Sequence, residues 1–344
     1  MHASTLSSAH RGAVAVGADE SIARDVAGAP LARQFRASIA AHGALPQPGQ
    51  GRTLQRWRAL CDVARIDLSL AKLFESHHDA LAILDDLDAP AAIGRNGYWA
   101  VWAAEHPSSR VEVTPERRGS ATLNGTKFWC SGAGVVDHAL VTCWRGSGGP
   151  YLGAVDLRQP GVSTMEQGWH AIGMADTRSQ PVVFEEVVVH VVGDARAYVD
   201  RSGFWQGGAG IAACWYGGAL ALAEEFAAHF GIRSDVLRAS HLGSVDVALR
   251  QSAALLRETA RLFDEHPRAD ARLAALRVRA SVEAAALKTL EHAGNALGAS
   301  AYCLNARFAR FAADLPVFLR QSHGAADLAS LGASAVPLSK HWGL

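Results

Sequence analysis

The chain has 344 residues, with 33 lysines and arginines balanced by 33 aspartates and glutamates, so its formal net charge is zero. That balance removes the basic excess that nucleic-acid or anionic-membrane binding requires. Hydrophobic residues make up 49% and charged residues 19%, a composition for a globular core, and no apolar run reaches the roughly 18 residues of a membrane span.

Of residues 1–50, the first 30 are rich in Ala, Ser, Gly and His. They lack a basic stretch followed by a long apolar run, so the expectation is a flexible N-terminal tail rather than a secretory leader. Residues 51–95 read as a short helical domain. Leu60, Val63, Ala64, Asp67, Leu68, Ala71 and Phe74 keep helical spacing with apolar residues on one side. A break is expected at Ser76-His77-His78, with a second helix over Ala80–Leu87, before Ala89-Pro90 and Gly94-Arg95-Asn96-Gly97 punctuate the chain.

Residues 96–195 change character. Short runs such as Arg110–Val113, Lys127–Cys130, His138–Trp144, Tyr151–Val155 and Val182–Val192 alternate or carry β-branched residues. Asn124-Gly125 between two runs is a hairpin signal, because both turn residues must tolerate positive φ. The expectation is an antiparallel β domain, a small barrel or sandwich. Residues 196–344 turn helical again. Leu273, Leu276, Ala280, Ala284, Leu287, Leu290 and Leu297 trace one apolar face, and about four helices suggest a bundle. The fold class is therefore α+β: helical domain, β domain, four-helix bundle. The cysteines Cys61, Cys130, Cys143, Cys214 and Cys303 form no C-x-x-C pair. Free thiols in a reducing cytoplasm fit this spacing better than a disulfide framework or a metal site.

Two segments of the β region carry a resemblance. Leu123-Asn124-Gly125-Thr126-Lys127-Phe128-Trp129-Cys130-Ser131-Gly132 is followed, about 45 residues later, by Ile172-Gly173-Met174-Ala175-Asp176-Thr177-Arg178 and Val183-Phe184-Glu185-Glu186-Val187-Val188-Val189. In order and separation they resemble the β-domain motifs of the acyl-CoA dehydrogenase superfamily, and the weaker likeness covers roughly residues 55–325. The resemblance implies an FAD cofactor and a two-electron flavin oxidation, with CH–CH dehydrogenation as the default. The substrate would be a small molecule, by default an acyl thioester. A homodimer or homotetramer is also implied. Trp129 would pack near the flavin within the segment containing Cys130, and Ser131 would hydrogen-bond flavin N5 through its hydroxyl or backbone. Val101-Trp102-Ala103-Ala104-Glu105 is similar to the family's pyrimidine-facing segment, which puts backbone N–H groups of Ala103 and Ala104 at the ring.

The departures matter as much. The loop that normally helps bind acyl-CoA is reduced to His106-Pro107-Ser108-Ser109, and the family's Arg-x-x-Phe-Gly pyrophosphate motif is not intact, with Arg233 and Arg238 as candidate substitutes. The turn that meets a neighbour's FAD reads Asn295-Ala296-Leu297-Gly298, so Asn295 and Gly298 are its candidates. The family's catalytic Glu position falls on Ser322, beside His323, and its alternative position falls around Gly207-Gly208. None of these carries a carboxylate. His323, whose imidazole can accept and return a proton, is the candidate replacement. Flavin monooxygenases share the family fold and do not need this glutamate, and a non-catalytic flavoprotein is a third reading. Gly208-Ala209-Gly210-Ile211-Ala212-Ala213 matches a dinucleotide fingerprint but follows no strand, so close helix packing is expected there. His77-His78 has no partner ligands at metal spacing and reads as packing.

Overall fold

The structure is a computed structural model that describes residues 20–115, 121–230 and 235–336, with side chains from residue 30 onward. It opens with helices α1 (Glu20–His42), α2 (Thr53–Ile66) and α3 (Leu68–Asp86). The expected tail over residues 1–50 is corrected by α1. Leu31 and Phe35, four residues apart, share one face and are buried. The Phe35 ring meets His77 edge-on at 6.0 Å and Tyr98 at 5.4 Å. The helix break is also moved. It falls at Asp67, whose backbone is extended and whose carboxylate accepts from Leu70 N at 2.7 Å, an N-cap for α3. The chain stays helical through Ser76-His77-His78, where N–H groups of the following strand donate to the Ser76 and His77 side chains. Val101 N donates to Ser76 Oγ at 2.8 Å and Trp99 N donates to His77 Nδ1 at 3.1 Å.

Seven strands follow among the described residues: β1 (Trp99–Trp102), β2 (Val111–Val113), β3 (Ala121–Cys130), β4 (His138–Trp144), β5 (Pro150–Asp156), β6 (Val162–Thr164) and β7 (Gln180–Val192). The path β4-β2-β3-β7-β5 returns to β4, so the sheet closes as a barrel, with β1 added in parallel along β4. Asn124-Gly125 is not a hairpin turn. Both residues lie inside β3, where the register against β7 shifts between Leu123 and Gly125. Gly125 has φ of 121°, and a Cβ there would come within 2.5 Å of Arg110 O. The dipeptide thus serves a bulge, which also tolerates positive φ.

The C-terminal part contains α4 (Ala197–Asp200), α5 (Gly203–Phe230), α6 (Val236–Glu265), α7 (Arg272–Leu297), α8 (Ala299–Leu304), α9 (Ala306–Phe318) and α10 (Ala325–Ala335). The long helices α5, α6, α7 and α9 form the bundle, and α5 also packs on α2 and α3. Small residues allow that approach: a Cβ on Gly217 would meet Cys61 O at 2.4 Å. No described helix is long and apolar enough to cross a membrane.

One polar hub ties the three parts together. Arg310 of α9 donates to Asp314 at 2.7 Å, to Asp176 of the β domain at 2.7 Å and to the α3 cap Asp67 at 3.3 Å. Asp314 is buried and accepts from Met174 N at 2.5 Å.

Candidate functional site

The end of β3 builds an exposed shelf beside the end of β1. The second register shift of β3, between Lys127 and Cys130, puts Trp129 at φ of 58° with 43% of its surface exposed. A bulky residue held in the left-handed region, with its ring turned to solvent, is the kind of local strain that marks functional sites. His106 stacks on Phe128 at 4.3 Å and lies 5.2 Å from the Trp129 ring, which gives the shelf an aromatic wall. Cys130 turns the other way. It is fully buried, its thiol donates to Lys127 O at 3.1 Å, and burial pushes its pKa up. Its side chain therefore belongs to the barrel core.

Two contacts fix the shelf. Trp102 Nε1 donates to Ser131 O at 3.1 Å, joining β1 to β3. Buried Lys127 bonds Glu105 at 2.9 Å and Thr142 Oγ1 at 2.6 Å, which anchors the segment containing half-buried Ala103 and exposed Ala104. Behind Ser131 runs a hydroxyl chain. Ser131 Oγ lies 2.7 Å from Ser179 Oγ, Ser179 Oγ lies 2.8 Å from Thr177 Oγ1, and Thr177 Oγ1 donates to Met174 O at 2.7 Å. An exposed indole beside a half-buried hydroxyl suits a flat, polar-edged ring. The residues present fit an isoalloxazine.

The two expected base positions are brought together from opposite ends of the bundle sequence. Arg279 of α7 donates to Gly208 O at 2.7 Å and to Gln321 O at 2.9 Å. Its guanidinium is buried, lies 4.8 Å over the Trp215 ring, and has its pKa lowered by desolvation. Ser322 follows Gln321, and its Oγ accepts from Gly324 N at 3.0 Å. The His323 side chain is 80% exposed and sits 3.6 Å from Asp327. A Cβ on Gly208 would meet nothing within 4 Å, so α5 borders open space there.

Arg233 lies outside the described residues. Arg238 sits in the first turn of α6, where its backbone N donates to the cap Asp235 at 2.8 Å. Asn295 and Gly298 are exposed at the C-terminal end of α7, where Gly298 has φ of 68°.

Sequence reasoning passed over Ser179, Asp79, Glu75 and Arg56. On α3, Asp79 makes no hydrogen bond among the described residues, and its buried Oδ1 is unpaired. A Cβ on Gly207 would come within 2.9 Å of that oxygen. A carboxylate from α3 thus occupies the space beside the position where the family's alternative glutamate would start. Glu75, one turn earlier and buried, pairs with Lys72 at 3.1 Å, and desolvation raises its pKa. Arg56 of α2 is buried with one hydrogen bond, to Pro46 O at 3.3 Å. Glu75 and Asp79 fall on the helical spacing of α3, but only the packing of α5 on α3 makes Asp79 a neighbour of Gly207. His77 and His78 are buried in the same helix, and desolvation lowers them to about 4 and about 2. Two cavities, of about 470 Å³ beside Phe230 and Leu242 and about 140 Å³ beside Trp57 and Tyr216, lie within the helices. Neither is lined by Trp129, Ser131 or Ser322, so the shelf, where the polar groups converge, is the better candidate.

This architecture of helical domain, closed barrel and bundle is the acyl-CoA dehydrogenase fold. Butyryl-CoA dehydrogenase from Megasphaera elsdenii superposes with a TM-score of 0.71 at 16% identity, covering 92% of this chain and 90% of that one. TdsC from Paenibacillus sp. A11-2, a dibenzothiophene monooxygenase seen with FMN and indole, superposes with a TM-score of 0.72 at 21% identity, covering 92% and 97%. In sequence, dibenzothiophene monooxygenase from Rhodococcus erythropolis is 30% identical over 158 residues, which is 40% of this chain and 38% of that relative. The match thus spans well under half of the relative's length. No family model matches the chain.

Proposed function

We propose that this chain is a flavin-dependent monooxygenase that transfers one oxygen atom from dioxygen to a small organic molecule. The observation that carries this reading is the pair of base positions. Ser322 and Gly207-Gly208 carry no carboxylate, the Asp79 oxygen that faces Gly207 is buried, and the Arg279 guanidinium lies between the two positions, bonded to Gly208 O and to Gln321 O beside Ser322. A cation there favours negative charge and cannot remove a proton from a substrate carbon. The similarity of part of the chain to dibenzothiophene monooxygenases supports the same reading.

A bound flavin supplies the two-electron chemistry. Trp129 packs against its ring, Ser131 sits at N5, and the Ala103 and Ala104 N–H groups meet its pyrimidine edge. FMN is the first candidate, because TdsC holds FMN, and FAD is the second. Glu105, Lys127 and Thr142 hold the ring-facing segment rigid. Ser322 and His323 border the substrate side, and Arg238, with Arg233, offers charge for a flavin phosphate. Dehydrogenation is the second reading, favoured by the shared fold with butyryl-CoA dehydrogenase.

The test starts with uptake. The purified chain is mixed with FMN or FAD and passed through a sizing column, which also reports the oligomer. Reduced flavin, labelled dioxygen and a panel of thiophenes, indoles and sulfinates are then supplied. The expected product carries one labelled oxygen, with the second leaving as water and the flavin returned oxidised. Failure to retain either flavin, in the oxidised or the reduced state, sinks both readings. Anaerobic bleaching by butyryl-CoA, without labelled product from the panel, replaces the first reading with the second.

A further inference from the structure

The hydroxyl chain behind Ser131 has a direction. Each Ser or Thr hydroxyl carries one proton and two lone pairs. The Thr177 proton goes to Met174 O, at 2.7 Å. Thr177 Oγ1 and Ser179 Oγ are 2.8 Å apart, a distance that requires a proton between them, and it must come from Ser179. Ser179 Oγ and Ser131 Oγ are 2.7 Å apart. The Ser179 proton is already committed, so the proton in this gap comes from Ser131. Thr177 and Ser179 are 1% and 4% exposed, and buried hydroxyls of this kind are paired in full. Turning the Ser179 proton toward Ser131 would set Thr177 Oγ1 and Ser179 Oγ 2.8 Å apart with lone pairs facing, and turning the Thr177 proton to fill that gap would leave its oxygen facing Met174 O at 2.7 Å with no proton between them. The start of the chain is fixed further by Thr177 O, which accepts from Gly132 N at 2.8 Å and holds the Ser131 turn against it.

Ser131 therefore spends its proton inward and presents lone pairs outward. We propose that Ser179 and Thr177 are positioning residues that make Ser131 a hydrogen-bond acceptor, so that the site prefers a reduced flavin, whose N5 carries a proton, over an oxidised one, whose N5 is itself an acceptor. This rests on the flavin reading above and adds to it a choice of redox state.

The experiment measures binding, not turnover. Dissociation constants of oxidised and dithionite-reduced FMN are compared anaerobically with the full-length chain, or of FAD if only FAD is retained. Reduced flavin is expected to bind at least about tenfold tighter, the effect of one hydrogen bond gained or opposed, which raises the bound flavin's two-electron potential by about 30 mV. In Ser179→Ala the inward acceptor is lost. Ser131 can then turn its proton outward, and the preference is expected to fall to about twofold or to reverse. Thr177→Val keeps the shape and frees the Ser179 proton to turn toward Ser131, so it should act in the same direction. Ser131→Ala should remove the preference altogether. Equal binding of the two redox states by the wild type overturns the proposal, and so does an unchanged ratio in a folded Ser179→Ala or Thr177→Val protein. A chain that retains no flavin in either state sinks the flavin reading, and the proposal with it. Flavin retention without a preference sinks only the proposal.

Discussion

Replacing Arg310 by methionine should loosen the junction of the three parts of the chain. Methionine keeps most of the side-chain length and removes the cation. Three carboxylates, those of Asp314, Asp176 and Asp67, then lose their shared partner. They are not equal. Asp314 is 1% exposed and lies 2.7 Å from Arg310, and breaking a buried pair of this kind costs about 3–5 kcal/mol. Arg310 itself is 41% exposed, so the lower end applies, and the outer pairs with Asp176 and Asp67 add about 0.5 kcal/mol each at most. The expected loss is about 3 kcal/mol, or a fall in Tm of roughly 6 °C at about 2 °C per kcal/mol for a chain of this size. The pH dependence gives a second check. Burial raises the Asp314 carboxyl and Arg310 counteracts that rise. Without Arg310 the folded-state pKa climbs further. A raised carboxyl favours the folded state at low pH and disfavours it as pH rises, so the deficit should shrink between pH 7 and about pH 5. Asp314→Asn in the same background should recover part of the loss, because an amide oxygen still accepts from Met174 N. Thermal unfolding of the variants by circular dichroism reads all three effects. A fall under about 2 °C, or a deficit that grows on acidification, would refute the hub as a buried ionic junction.

His77 and His78 are lowered to about 4 and about 2 by burial, so the unfolded chain binds their protons first as pH falls below about 6.5. Stability should drop there by up to about 1.4 kcal/mol per pH unit for each, and His78→Phe should flatten that slope in urea titrations at several pH values. Gly173→Ala would place a Cβ 1.9 Å from Ala313 O, backbone against backbone. It should cost about 1–3 kcal/mol in denaturant unfolding, and a neutral result would mean the β-domain loop does not sit on α9.

The sequence by itself determined the kinds of elements and their order. Apolar spacing near 3.6 in Leu60–Phe74 and Leu273–Leu297, and β-branched runs such as Val182–Val192, gave helix and strand correctly, but the expected face of Leu273–Leu297 is corrected: Leu287 is exposed, and the buried stripe runs through Ala275, Val278, Val282, Ala286 and Ala293, where the neighbouring helices pack. The motif pair around Trp129 and Asp176-Thr177 also pointed to the fold. Features that depend on a partner far along the chain were not legible. Ser76-His77-His78 looks like a break until β1 supplies the N–H groups that satisfy it. Asn124-Gly125 carries the composition of a turn, and only the β7 register makes it a bulge. The tail hid α1, because the value of burying Phe35 is set by His77 and Tyr98. At the site, the sequence could register that Ser322 and Gly207-Gly208 lack a carboxylate. Only the packing of α3, α5, α7 and the 321–324 loop showed Arg279 between them and Asp79 beside Gly207. Hydrogen bonds and close packing act over a few ångströms of space, whatever the separation in sequence. The outward lone pairs of Ser131 are set 48 positions away, at Ser179.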